Sequence, residues 1–254
     1  MYLAFDIETG GLDDEVLRER CPAFEPLPPP GAFDPAAVKC GNIGGPTSEK
    51  GKAKIEEARK AHEELVTRYA ADLAAAEEKH FVDFKSRAAL DATTGRVVAI
   101  GFCRADAMET PAIIDCDQDE EAGLREWWRN VEDALCDRLP LIGFNVCHFD
   151  LPFLIRRSWL LGVPMPSGLR KGRYWSDLVV DLMQVWGFHG RDLIGLDKLA
   201  KAFGIAGKLT EAGGVDVSGA EFARLWRENR QAAETYLHQD VRLCVRLAER
   251  MGAV

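Results

Sequence analysis

The sequence predicts an α/β fold, a mixed β-sheet flanked by helices and interrupted by an inserted helical arm. Three observations predict it. Short apolar runs rich in β-formers occur at residues 2–7, 97–103 and 112–116. A further run, PLIGFN, leads into a helical pattern opened by Asp150, so a strand stands among helices. Between about residues 22 and 90 the composition turns first to proline and then to Lys, Glu and Ala, which fits neither pattern.

Residues 2–7 alternate and then meet Thr9-Gly10-Gly11, which reads as a short buried strand ended by a turn. The prolines between Cys21 and Pro35 cannot sustain helix or central strand, so this stretch is a surface excursion. From 48 to 84, Ile55, Ala58, Leu65, Tyr69, Leu73 and Ala76 recur at helical steps. One long helix or a helical hairpin is expected; a continuous helix would reach about 50 Å and serve as an arm. Its near-balanced charges favour a solvated helix with one packed face. Gly95-Arg96 reads as a turn into the second strand. Residues 120–135 have helical spacing, as do 177–186, 196–203 and the whole of 221–251. A Gly-rich loop lies around Gly213 and Gly214. LRKGRYW, at 169–175, has the composition of a single-strand track, or of a solvated loop with its aromatics turned inward. Trp127, Trp128, Trp159, Trp186 and Trp226 read as core or partly buried helix residues. The whole chain, 1–254, is expected to be one domain carrying the insertion.

A formal net charge of −9 argues against a protein that coats polyanions through Lys and Arg, but not against an enzyme that grips a few phosphates. Seven cysteines form no CxxC pair and are odd in number, so they read as reduced thiols rather than a disulfide framework or zinc site. No basic leader precedes Asp6, and no stretch approaches the length of apolar residues that a membrane span needs. A cytoplasmic location without membrane association is the expectation.

The chemistry sits in carboxylates. Asp6 and Glu8 lie two apart on the first strand, so they share a face about 7 Å apart. Such a pair repels unless a cation lies between them, or else it is an exposed strand end. On the last helix, Tyr236, Asp240, Leu243 and Leu247 form a stripe beside Leu237, Val241, Cys244 and Ala248, which places Asp240 on an apolar surface in need of a partner. His238 falls on the solvent side. Asp150 alone is accounted for by a helix N-terminus. Asp177 and Asp181 read as caps or ion-pair partners.

Together, these residues carry a resemblance. FDIETGG resembles the first motif of the DEDD exonucleases, GFNVCHFD the second, and YLHQD the third in its tyrosine form; position 235, where the histidine form has His, is Thr. The nearest likeness is to proofreading exonuclease domains of family-B DNA polymerases and stand-alone bacterial and phage relatives. The resemblance implies an RNase H-like fold and 3′-to-5′ hydrolysis of phosphodiester bonds. It implies that Asp6, Glu8, Asp150 and Asp240 hold two divalent cations, Mg2+ or Mn2+, and that Tyr236 positions the attacking water. Two such ions about 3.5 to 4 Å apart activate water and stabilise the leaving oxygen, and oxygen ligands suit them. Substrate contacts are expected from Thr9, Gly10, Asn145 and Phe149. For Phe149 a core role stands equally, and for Thr9 and Gly10 an ordinary turn does. The expected substrate is single-stranded DNA, with a DNA polymerase or other replication or repair protein as partner. The rivals are an RNA 3′-end trimmer and a non-catalytic nucleic-acid-binding or polymerase-accessory module.

Overall fold

The computed structural model describes residues 1–40, 45–104, 110–171, 174–190, 193–209, 211–212, 215–216 and 219–253. The chain divides into two compact units, Met1–Leu17 with Arg87–Val254, and Arg18–Ser86.

The first unit is built on a five-stranded sheet of order β3-β2-β1-β4-β7. Its strands are β1 (Leu3–Gly11), β2 (Gly95–Arg104), β3 (Ala112–Asp115), β4 (Leu141–Gly143) and β7 (Val179–Asp181). A separate hairpin of β5 (Arg170–Lys171) and β6 (Tyr174–Trp175) precedes β7. β1 is central, antiparallel to β2 and parallel to β4, and β4 is parallel to β7, so the sheet is mixed as expected. Side chains alternate across β1. Leu3, Phe5 and Ile7 pack with Leu124 and Trp127 of α3 (Glu120–Cys136) and with Leu151 and Phe153 of α4 (Asp150–Leu161). Tyr2 and Ala4 pack on the opposite face with Phe222 of α7 (Phe222–Glu228) and with Leu237 and Val241 of α8 (Arg230–Met251). Asp6 and Glu8 continue this second row, two acids on a strand covered on both faces.

Five local readings are corrected. Residues 177–186 are not one helix: Val179 and Val180, β-branched and half-buried, pair with β4, and only then does α5 (Leu182–Trp186) begin. Residues 221–251 are not one helix either, because Asn229 leaves helical conformation and its side chain caps α8 by accepting from Ala232 N–H at 3.2 Å. Gly95 and Arg96 already belong to β2, and within LRKGRYW Arg170–Lys171 and Tyr174–Trp175 pair as strands β5 and β6 rather than forming a loop, with Gly172 and Arg173 outside the described residues. Trp159, 69% exposed, and Trp186, 39% exposed, are surface residues, whereas Trp127, Trp128 and Trp226 are core. The glycines at 213 and 214 lie outside the described residues; α6 (Leu196–Ala202) forms where helical spacing predicts it.

Gly101 explains how α8 reaches the sheet. It pairs with Asp6 across the β1–β2 ladder. A Cβ placed there would meet Leu237 Cγ at 2.7 Å and Val241 Cγ2 at 3.0 Å. The missing side chain therefore lets the α8 turn that bears Asp240 lie directly over Asp6. Gly101→Ala is expected to cost about 1 to 3 kcal/mol of stability through overpacking. A urea melt checks this, and an unchanged midpoint would contradict the close approach.

The second unit pairs one helix with an extended segment. α2 (Glu49–Lys85) is a single continuous helix rather than a hairpin, because no Gly or Pro follows Gly51 within it. Ser48 caps it by accepting from Gly51 N–H at 3.0 Å. The proline-rich segment runs antiparallel along one face. Phe24 meets His80, Phe33 meets His62, Tyr69 Oη donates to the Leu27 carbonyl at 2.6 Å, and His80 Nε2 lies 3.0 Å from the Pro22 carbonyl. Prolines lack N–H groups, so carbonyls are what this segment offers, and ring donors on the helix satisfy them.

Candidate active site

Four acids, one tyrosine and one lysine meet beside the middle of β1. Asp6 and Glu8 reach one face through the two-residue period, and a bulge between Glu8 and Thr9 re-aims the strand directly after them. Asp240 comes down from α8, fully buried. Ligand oxygens of Asp6, Glu8 and Asp240 all lie within 4.8 Å of one another. Asp150 stands at the first turn of α4, 3% exposed, and its Oδ1 accepts from Ile7 N–H at 3.2 Å, a donor left open because β4 pairs with β1 only at Leu3 and Ala4.

The placement of Asp150 depends on Asp181. That buried carboxylate accepts from Asn145 N–H at 2.9 Å and Cys147 N–H at 3.0 Å, and also caps α5 through Met183 N–H at 3.0 Å. It thus holds the turn that delivers Asp150, with Asn145 in the left-handed region at φ 64°. Capping is the role the sequence reading assigned to it; the clamp on Asn145 and Cys147 was not legible.

Electrostatics follow from crowding acids out of water. Asp6 is held well above the usual carboxylate range by burial and then by Asp150 and Asp240. Glu8 is raised likewise by burial and then by Asp6 and Asp240. Burial lifts Asp150 to about 7 against the pull of the Ile7 N–H. Asp240 is raised by burial, although Lys208 and the Tyr236 hydroxyl lower it. Tyr236 is buried on the same helix face, and burial with the nearby Asp240 and Glu8 charges raises its hydroxyl, which therefore stays protonated at neutral pH.

Lys208 is the residue that sequence reasoning missed. Its Nζ contacts Asp240 Oδ2 and lies 5.5 Å from the Tyr236 ring centroid. Burial alone would lower its pKa, but Asp240 and Asp6 hold it above the ordinary lysine value. No periodicity or motif marks it in the sequence, since it stands in coil between α6 and the Gly-rich segment. The ammonium contacts only one oxygen of Asp240. Asp240 Oδ1 is buried with no hydrogen-bond partner. A buried, orphaned oxygen on a carboxylate clustered with two others fits a hard divalent cation better than it fits any protein group present.

The expected substrate contacts are placed unevenly. Asn145 and Phe149 lie on the turn before Asp150, both half-buried, and Phe149 packs on Phe153 with ring centroids 5.6 Å apart. Thr9 commits its hydroxyl to the Ala89 carbonyl at 2.7 Å, and a Cβ at Gly10 would meet Ala223 Cβ at 2.8 Å. These two therefore offer backbone alone, and the small size of Gly10 serves α7 packing. Thr235, at the position of the histidine form, is exposed and bonds the Gln231 carbonyl at 2.8 Å.

A mixed sheet flanked by helices, with acids converging beside its central strand, defines an α/β nuclease of the RNase H-like kind. Residues 87–243 match a family described as predicted 3′-5′ exonuclease related to the exonuclease domain of PolB, and the chain belongs to this family. It is a hydrolase acting on nucleic acid. The matched span begins at the residue where the first unit resumes and takes in Asp150, Lys208, Tyr236 and Asp240, while Asp6 and Glu8 precede it. No curated protein matches the chain by sequence. Among the described residues no helix is long and apolar enough to cross a membrane.

Proposed function

We propose that this protein is a tyrosine-type DEDD exonuclease that shortens single-stranded DNA from its 3′ end and releases nucleoside 5′-monophosphates. Two divalent cations, Mg2+ or Mn2+, would be held by Asp6, Glu8, Asp150 and Asp240. The observations that carry this reading are the convergence of Asp6, Glu8 and Asp240, with a carboxylate oxygen of each within 4.8 Å of the others, and the orphaned Oδ1 of buried Asp240. Bound cations of this kind activate water and stabilise the leaving 3′ oxygen. The protonated Tyr236 hydroxyl, beside Glu8 and Asp240, orients the attacking water. Asn145 and Phe149 hold the terminal nucleotide, the ring by stacking, and the backbone of Thr9 and Gly10 lies against its sugar. Lys208 offsets part of the acidic charge. The family's relation to a polymerase exonuclease domain supports DNA over RNA and supports a DNA polymerase or other replication or repair protein as partner. Five buried cysteine thiols support a reducing, cytoplasmic setting.

The test uses matched DNA and RNA strands labelled at the 5′ end, digested with Mn2+ and with EDTA. A ladder shortening from the 3′ end of DNA, faster than of RNA and abolished by chelation, is expected. Faster RNA digestion would reassign the substrate, and cleavage that survives chelation would sink the metal-dependent mechanism. Tyr236→Phe is expected to lower kcat about a hundredfold and leave KM unchanged; an equal loss in both would make the tyrosine a packing residue instead.

A further inference from the structure

We infer that the turn after α5 is a nucleotide-stacking subsite for the strand upstream of the terminal nucleotide, with Phe188 supplying the ring and His148 and His189 flanking it. The inference rests on the exonuclease reading and adds to it a second stretch of substrate contact.

Phe188 is 91% exposed. It lies at φ 50° and His189 at φ 57°, two successive non-glycine residues in the left-handed region. Gly187 and Gly190 bracket them, yet neither glycine takes a left-handed φ. The strain thus falls on the two ring-bearing residues, an arrangement that persists only where the surroundings impose it. The surroundings do so. Phe188 N–H bonds the Val185 carbonyl at 3.3 Å, His189 N–H the Gln184 carbonyl at 2.9 Å, and Gly190 N–H the Gly187 carbonyl at 2.8 Å. The turn is therefore a fixed presentation of an aromatic ring to solvent.

The turn is also tied to the site. The Gln184 amide nitrogen donates to His148 Nδ1 at 3.3 Å, and the amide oxygen accepts from His189 Nδ1 at 3.2 Å. That bridge gives the two imidazoles opposite tautomers and leaves the Nε2–H of His148 pointing away from the amide as a donor. His148 lies two residues before Asp150, in the turn that Asp181 clamps, and Asp181 also caps α5. Gln184 thus joins the turn that bears Phe188 to the turn that delivers Asp150. The position agrees with the topology, because β1, β4 and β7 run parallel and ligands of such sheets bind beyond their carboxyl ends. A ring flanked by imidazole and amide donors, rather than by an apolar rim, suits a base and its phosphate better than it suits an apolar protein surface.

The experiment measures anisotropy of 5′-fluorescein oligothymidylates in Ca2+, with a dinucleotide and a strand of about six nucleotides, of which only the longer extends well upstream of the terminal nucleotide. Phe188→Ala is expected to weaken binding of the longer strand about tenfold and to leave the dinucleotide unchanged, while Phe188→Trp retains binding. Phe188→Gly, relieved of strain, should melt a few degrees higher yet bind as weakly as the alanine variant. If Phe188→Ala binds the longer strand within about twofold of the parent, less than one stacked base contributes, the subsite is refuted and the exonuclease reading stands. If the parent protein itself neither binds nor digests any strand, both fall together.

Discussion

Asp6→Asn is expected to lower 3′-end hydrolysis by at least about a thousandfold while making the metal-free protein more stable. Both effects have one cause. Asp6 faces the charges of Asp150 and Asp240, and burial already opposes its ionisation. The amide keeps the shape, removes the charge and relieves repulsion, so the fold gains from the change that the chemistry cannot bear. The measurement is paired: turnover of a labelled strand in Mn2+, and a urea midpoint in EDTA at pH 8. A variant that keeps a tenth of the parent activity would remove Asp6 from the reaction. A variant that is inactive but destabilised would show that the cluster is held by bonds other than those described.

The second large effect is a reversal of pH dependence by metal. Asp150 is raised in the fold to about 7 from an ordinary value near 3.8. Between those two values the folded protein binds more protons than the unfolded chain, so stability falls as pH rises through this window and is flat above it. For Asp150 alone the loss is about 4 kcal/mol between pH 4 and pH 7. Asp6, Glu8 and Asp240 are raised as well and push in the same direction. Divalent cations bind the deprotonated acids, and at about a hundred times their dissociation constant restore close to 3 kcal/mol. Denaturant melts in EDTA are therefore expected to weaken from pH 5 to pH 8, and melts in Mn2+ to recover at pH 8. Asp150→Asn should make the EDTA profile shallower, with the slope that remains coming from Asp6, Glu8 and Asp240. A metal-free protein more stable at pH 8 than at pH 5 would mean that the acids are ionised and paired in the fold.

How much of this was legible without coordinates depended on periodicity. Asp6 and Glu8 were readable because a strand has period two, and Asp240 because one acid interrupted an apolar helical stripe. Asp150 was readable only as part of the set, since a helix N-terminus accounts for an aspartate by itself. β7 was not readable: three residues, Val179–Asp181, carry too few side chains to show a period, and the strand's identity comes from pairing with β4. The break at Asn229 was hidden because both flanking helices keep the same apolar face. Lys208 and Gly101 were invisible for a different reason. Their roles are relations across space, an ammonium on Asp240 and an absent side chain under α8, which no local spacing records.

The most direct measurement is anomalous diffraction at the manganese edge from crystals of the Tyr236→Phe variant soaked with Mn2+ and a short DNA strand. Two peaks are expected, about 3.5 to 4 Å apart, lying among Asp6, Glu8, Asp150 and Asp240, with Asp240 Oδ1 as a ligand and Lys208 Nζ moved off Oδ2. No peak at these carboxylates, with Lys208 still seated on Asp240 and the strand bound elsewhere, would contradict the assignment of this cluster as the metal-dependent active site.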